Sequence, residues 1–307
     1  MSGMIAGVGA MILVGSSVAV IGGLDGLPAM WVQSFRYAVA AAVILVAARA
    51  TGRRLVLPRG REVGFVVGGA LLGMVGFNLA LVLGAGHAEP AVFGAAVSCI
   101  PIALAIGGPL AYGRRPSVRL LAGAGAVAVG AVLVSGWGHS DGAGLVAAAS
   151  LIGLDAGLTL LSAPVLPRLG PWTYSAATSA VAAAVFAVLG VIFEPAGLAR
   201  MIEPSAIAAV LYLGAVATAI SFVLWFSCVR RLGPGRAGLT AGIAAPASAV
   251  IGLALGGPVP GVLACSGMVV IMIGLLIGFG QSKRGPMPVE SHRAGRSQVV
   301  VGEAVGQ

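Results

Sequence analysis

Charged residues are scarce in this chain: they make up 9% of its 307 residues, whereas hydrophobic residues make up 59%. An ordinary soluble domain carries about 25% charged residues. So small a share of charged residues cannot form the polar surface of a globular domain. An ordinary soluble protein is therefore excluded. The long apolar runs indicate a membrane protein instead, since a spanning helix needs about 20 predominantly apolar residues.

Cysteine and histidine are also rare, with three of each. The cysteines fall inside apolar segments, which predicts packing roles and no disulfide framework: Cys99, Cys228 and Cys265. The histidines lie outside the apolar segments, and the HExxH pattern of zinc proteases does not occur. We therefore expect no histidine proton relay, no metal site and no cofactor.

The apolar segments number ten, and short linkers rich in proline separate them. Strands of a membrane barrel would alternate polar and apolar residues, but these segments are apolar on every face. We therefore predict an all-α, polytopic membrane fold with ten transmembrane helices. The predicted spans are residues 4–23, 28–48, 63–84, 90–112, 117–135, 143–163, 172–193, 206–227, 236–255 and 259–280.

The basic residues mark one side of the membrane. Of the 18 Lys and Arg, 16 lie in alternate linkers and in the tail, and only Arg200 lies in the opposite linkers. Those opposite linkers carry acidic residues instead: Asp25, Glu89, Asp141, Glu194 and Glu203. The positive-inside rule then predicts that both termini are cytoplasmic. The net charge of +9 is thus explained by anionic lipid headgroups as the partner, with no nucleic acid.

A GxGxxG pattern occurs at Gly233, Gly235 and Gly238. A dinucleotide fingerprint needs a preceding strand and an acidic residue about 20 positions downstream. This pattern follows a membrane span and contains Pro234, and the next acidic residue is Glu290. We interpret it as a turn on the cytoplasmic side.

The two halves of the chain are related. An offset of 145 residues places Phe77 on Phe222 and Pro101 on Pro246. The predicted units are residues 1–136 and 137–280, each with five spans, followed by a disordered cytoplasmic tail at 281–307. Because five is odd, the halves must be inverted in the membrane, an arrangement typical of secondary transporters with a substrate site between the repeats.

The second half resembles the end of an EamA-type domain of the drug/metabolite transporter superfamily, in the stretch LYLGAVATAISFVLWFSCVRRLGPGRAGLTAGIAAPASAVIGLALGG. The first half is similar to such a domain at VGSS (14–17) and SFRYAVAAAVILV (34–46). Family members often carry glutamate after the fourth and ninth helices, where this chain has Tyr112-Gly113 and Gly256-Gly257. The resemblance, which covers residues 4–280, implies a ten-helix secondary transporter, commonly an exporter of amino acids or related metabolites.

Asp155 is the one acidic residue deep within a predicted span, and Arg36 is the one basic residue. Charged side chains are costly in hydrocarbon, so each is a candidate substrate or proton site. The alternatives are a protonated, hydrogen-bonded carboxyl for Asp155 and an arginine that reaches the headgroups for Arg36. A direct pair between the two is one arrangement among several.

Uncharged polar residues complete the candidate site. Ser16 aligns with Asp155 between the halves, and Asn78 and Ser98 lie in the third and fourth spans. Each is either a ligand contact or a hydrogen-bonding group between helices. Pro101 and Pro246 interrupt spans four and nine at equivalent places, which predicts kinks with a hinge role or static bends.

Glycines repeat every seven residues in spans five and ten, at Gly123, Gly130, Gly267 and Gly274. Such faces serve close helix packing or a homodimer. The predicted function is secondary transport of a small-molecule substrate across the cytoplasmic membrane, and the chain is expected not to be an enzyme. The alternatives are an enzyme embedded in the membrane, for which the spans lack paired acids or a nucleophile with its base, and a structural membrane protein.

Overall fold

The chain folds into long helices, as its composition predicts. The computed structural model describes residues 2–21, 26–136, 138–254, 256 and 259–280. Within these ranges the one pairing of β type is an isolated antiparallel bridge between Ala88 and Ser140. The all-α class is therefore confirmed, whereas Asp25 and the predicted disordered tail at 281–307 lie outside the described residues.

In the described part of the chain, nine helices are long and apolar enough to cross a membrane. An apolar helix, α1 (Ser2–Ile21), precedes them. The nine are α2 (Ala29–Ala50), α3 (Arg61–Gly84), α4 (Pro90–Leu110), α5 (Val118–Ser135), α6 (Gly142–Ser162), α7 (Leu166–Phe193), α8 (Pro204–Leu232), α9 (Pro234–Ala254) and α10 (Val262–Phe279). A 3₁₀-helix, Pro195–Ile202, lies between α7 and α8.

Two helix ends depart most from the sequence prediction. α7 starts at Leu166, before the predicted 172, because a short helical turn precedes a break at Gly170, where φ is 71°. α8 continues to Leu232, beyond the predicted 227. Its last turn carries Arg230 and Arg231, whose long side chains can reach water from a helix end, so hydropathy alone underestimates the helix.

Apart from α7 with its break at Gly170, four helices contain irregular segments. Ala70–Gly76 of α3 and Tyr212–Ile220 of α8 are π-helical. Turns interrupt α4 at residues 98–99 and α9 at residues 242–243. The irregular segments therefore fall in helices that are five apart along the chain.

Three pairs of helices that pack together are also five apart along the chain. α5 packs extensively along α10, α2 along α7, and the second half of α4 against the first half of α9. α1 packs on α8 and α9, while α6 packs on α3 and α4. α2 also contacts the π-helical segment of α8, and α7 contacts that of α3.

Glycine allows the backbones of α5 and α10 to touch. A Cβ added at Gly130 would lie 2.6 Å from the carbonyl oxygen of Gly267 and 2.7 Å from the nitrogen of Ile271. One added at Gly123 would lie 2.7 Å from Cα of Gly278. The glycine faces predicted for packing or for a dimer therefore pack against each other within one chain.

The basic residues collect at one end of the bundle, which we call the basic end. It holds the loops at residues 51–60, 111–117, 163–165 and 233. Three contacts link the helix ends there: Arg168 pairs with Glu62, Arg231 donates to the Ser2 hydroxyl, and Arg119 Nε donates to the Ile277 carbonyl at 2.7 Å.

The opposite end, which we call the acidic end, carries the alternate loops. His87 Nδ1 lies 2.8 Å from Asp141 Oδ2, and Glu89 N donates to the His139 carbonyl at 3.0 Å. Trp31 Nε1 donates to the Glu194 carbonyl at 2.9 Å. Among the described residues, Arg200 is the basic residue of these loops, and it donates to the Gly26 carbonyl.

The close approach of α5 and α10 predicts opposite effects on stability for alanine substitutions at two glycines of α5. Gly130→Ala should lower the melting temperature in detergent, because the new methyl group meets backbone atoms that cannot yield, and overpacking costs about 1–3 kcal/mol. Gly125→Ala is the matched control. No atom lies within 4 Å of its added Cβ, and alanine favours a helix over glycine by up to about 1 kcal/mol. Equal melting temperatures for the two variants would contradict this account.

Candidate functional site

Arg36 lies inside the bundle and is held by neutral groups. Its Nε donates to the Thr218 hydroxyl at 2.8 Å, and one terminal nitrogen donates to Gln33 Oε1 at 3.5 Å. Its Cζ lies 5.4 Å from the centre of the Tyr37 ring. No acidic side chain within the described ranges forms an ion pair with it. The guanidinium carries five N–H donors, so part of its donor capacity is free.

Asn78 of α3 joins Arg36's neighbours into one network. Its Nδ2 donates to the Tyr37 hydroxyl at 2.9 Å and to the Met74 carbonyl at 2.7 Å, and its Oδ1 accepts from Gln33 Nε2 at 2.9 Å. Asn78 is buried. The network thereby ties α2 to the π-helical segment of α3, and through Thr218 to that of α8.

Ser16 of α1 lies in a second polar contact, also with a π-helical segment. Its hydroxyl lies 2.6 Å from the Tyr212 hydroxyl, and it also donates to the Leu13 carbonyl at 2.7 Å. Tyr212 and Thr218 both belong to the π-helical part of α8. That segment therefore presents one polar contact to α1 and another to α2.

Asp155 lies in α6 without a partner. No described residue forms a hydrogen bond or an ion pair with its carboxyl group, and the residue is partly exposed. It shares a helical face with Thr159, one turn on, whose hydroxyl accepts from Trp225 Nε1 of α8 at 3.2 Å. Asp155 thus lies on the face that turns toward α8 and the interior.

Arg36 and Asp155 lie at different depths. Arg36 is seven residues from the start of α2, about 10 Å from the acidic end at 1.5 Å per residue. Asp155 is 13 residues from the start of α6, about 20 Å from the same end. A direct ion pair between them is not formed, so each charge faces the interior separately.

The remaining predicted residues lie at the helix interruptions. The Ser98 hydroxyl donates to the Gly94 carbonyl of its own helix at 2.7 Å and takes no part in the Arg36 network. Pro101 follows the turn at 98–99 in α4, and Pro246 follows the turn at 242–243 in α9. A proline leaves the carbonyl four residues before it without its helical donor, which accounts for the positions of both turns.

Three members of the network were not predicted from the sequence: Gln33, Tyr37 and Thr218. A signal for Gln33 was present, because it precedes Arg36 by three residues and so lies on the same face of α2. Tyr37 and Thr218 are identified only by contacts between helices. The single sequence carries no information on which helices meet.

An open depression of about 490 Å³ lies at the acidic end, away from this network. It is lined by the loops that carry His87, Glu89, His139 and Asp141. The Gly144 backbone N–H and the His87 side chain lower the pKa of Asp141 from its ordinary value. No group of three or more His, Cys, Asp or Glu suited to a metal occurs in the described part of the chain. The depression is thus a junction between loops that stabilise each other.

Comparisons with known proteins support the fold alone. No family model matches the sequence, and no curated protein matches it either. Among 28 matching chains of solved structures is one described only as a crystal structure of a protein. It superposes with a TM-score of 0.79 over 91% of this chain and 98% of its own length, at 21% sequence identity. The helical architecture is therefore one found in solved proteins.

The hydrogen bonds of Asn78 predict graded losses of stability. Asn78→Ala removes the partner of Tyr37 and of Gln33 together, and an unpaired buried polar group costs about 1–3 kcal/mol. Tyr37→Phe removes one of these bonds and should cost less. Thermal unfolding of both variants in detergent measures the order. A loss in Tyr37→Phe equal to or larger than that in Asn78→Ala would contradict the central position of Asn78.

Proposed function

We propose that this chain is a secondary transporter of small metabolites, built from ten transmembrane helices as two inverted repeats in the cytoplasmic membrane. The observation that carries the proposal is the recurrence of irregular helices five apart: π-helical segments in α3 and α8, and interruptions in α4 and α9. Broken helices in corresponding places of two repeats are the features that form substrate sites near the midplane in such transporters.

The helix contacts support the repeat. In the proposed repeats, each helix of the first half is equivalent to the helix five places later in the second half. The contacts of α1 with α8 and α9 are then equivalent to those of α6 with α3 and α4. The contacts of α2 with α7, of α4 with α9 and of α5 with α10 correspond to themselves. A twofold axis in the membrane plane would produce this pattern, with α1 as the tenth span.

One departure from the pattern bears on mechanism. The second half of α8, toward the basic end, packs on α7, whereas the corresponding contact of α3 with α2, toward the acidic end, is much smaller. The interior is thus more tightly closed at the basic end. In alternating access the two repeats exchange such arrangements, so that the site opens to each side in turn.

The proposed direction of transport is export, and the proposed substrates are amino acids or related compounds, as the resemblance implies. Transport is driven by an ion gradient or by exchange. The arginines at the basic end favour placing that end in the cytoplasm, with both termini on that side. A homodimer would need faces other than the glycine faces of α5 and α10, since these already contact each other.

The proposed orientation has a direct test. A reporter active only in the cytoplasm should be active when fused after residue 280 and inactive when inserted beside Asp141, and a reporter active only outside should give the reverse. The physical reason is the excess of arginine at the basic end. Cytoplasmic activity at both positions would require an even number of spans between them, instead of the five observed, and would contradict the inverted arrangement.

Asp155 is the side chain whose charge we expect transport to need. Asp155→Asn keeps the shape and removes the titratable charge, so transport should fall at least about tenfold while membrane insertion stays normal. Asp141→Asn is the matched control, because it makes the same change at the start of the same helix, and asparagine caps a helix as well as aspartate.

Transport is measured with radiolabelled amino acids in inverted vesicles, across roughly pH 5.5 to 8.5 to bracket the titration of a buried carboxyl group. Full activity of Asp155→Asn with an unaltered pH profile would remove Asp155 from the mechanism. Metabolite profiling of cells with and without the protein tests the function itself, and no difference in any metabolite would contradict transport.

A further inference from the structure

We propose that Arg36 is the centre of an anion site that binds the carboxylate group of the transported substrate. This inference rests on the proposed transport function and names the chemical class of its substrate. It starts from the surroundings of the guanidinium, whose observed partners are all neutral: the Thr218 hydroxyl, the Gln33 amide oxygen and the Tyr37 ring.

A cation in a membrane interior is costly, and such residues usually pair with an opposite charge. Arg36 has no such pair among the residues that the structure describes. Glu194, which lies beside the start of α2, accepts instead from Met30 N at 2.9 Å. Asp155 lies about 10 Å deeper along the helices. The charge of Arg36 is therefore left for a ligand to neutralise.

The geometry of the network also suits an anion. Thr218 fixes Nε at 2.8 Å, and the weaker contact to Gln33 is 3.5 Å long. Gln33 is itself held at 2.9 Å by Asn78. The remaining terminal N–H groups can form the paired hydrogen bonds with which an arginine binds a carboxylate. A guanidinium held in place loses less side-chain entropy when it binds.

The position of Arg36 allows an anion to reach it from the acidic end. Arg36 is partly exposed and lies about 10 Å from the acidic end, where the contact of α2 with α3 is small. The two π-helical segments adjoin the network, because Arg36 bonds to Thr218 of one and Asn78 bonds to Met74 of the other. An anion entering between the helices would meet Arg36 before it reached the depth of Asp155.

The test measures binding separately from transport. Purified protein is heated with a mixture of the twenty standard amino acids, and in parallel with a mixture of the corresponding amino acid amides, which lack the carboxylate. The amino acids should raise the melting temperature, and the amides should need at least tenfold higher concentration for the same shift. Arg36→Gln should abolish the difference between the two mixtures, and Arg36→Lys should keep part of it.

Arg200→Gln, a change at the same end outside the network, is the control and should respond like the unchanged protein. Size-exclusion profiles show whether each variant folds, and Thr218→Val serves as a second variant that keeps the charge but releases Nε. Chloride is another anion that the guanidinium could bind, so the series is repeated with chloride replaced by methanesulfonate, which has no carboxylate group. Stabilisation by chloride that Arg36→Gln abolishes, with no shift from the amino acids when chloride is absent, would overturn the proposal.

Three further outcomes would overturn it. Equal stabilisation by amides and amino acids would show that no carboxylate is bound at this centre, as would the absence of any shift with either mixture. A larger difference in Asp25→Asn than in the unchanged protein would identify Asp25, which lies outside the described residues, as a counter-ion that competes for Arg36. Metabolite profiling keeps the two proposals apart: exported compounds without a carboxyl group would leave transport standing and remove the carboxylate site.

Discussion

Backbone hydrogen bonding in a medium without water is the constraint on which this structure depends. An unsatisfied N–H or carbonyl group facing lipid costs several kcal/mol, so irregular backbone is tolerated only where protein surrounds it or a cavity hydrates it. The π-helical segment of α3 meets this condition through the buried residues Ala70, Gly73 and Met74. Asn78 supplies a side-chain donor to the Met74 carbonyl. The polar network therefore begins where the helix geometry departs from α.

The same constraint separates a fixed part of the bundle from a part that can change. α5 and α10 touch backbone to backbone at their glycines, and so close a contact leaves little room for repacking during sliding. α3, α4, α8 and α9 contain π-helical segments or turns, where helix geometry changes at low cost because regular bonding is already interrupted. Rearrangement around the interior is accordingly expected in these four helices.

The helices themselves could be predicted from sequence because hydropathy and proline report directly on local structure. The class and most helix ends followed from these signals, and the charge distribution matched the gathering of arginines at one end. The π-helical segments could not be predicted, since their bonding pattern depends on which neighbours pack against Gly73 or Gly214. Arg36 and Asn78 were found as rare polar residues in apolar segments. Their partners Thr218 and Tyr37 depend on helix contacts that one sequence does not encode.

The two interior charges, of opposite sign, lie at different depths along the axis of the bundle. Arg36 lies toward the acidic end and Asp155 about 10 Å deeper, each without a counter-ion among the residues described. In a medium of low dielectric, opposite charges attract over longer distances than in water, yet neither of these two is neutralised at contact distance. A solute carrying both signs could satisfy each charge in turn as it moved along the axis. Fold stability alone would be served as well by apolar residues at both positions, so the cost of keeping these charges supports the proposal that they act on a transported solute.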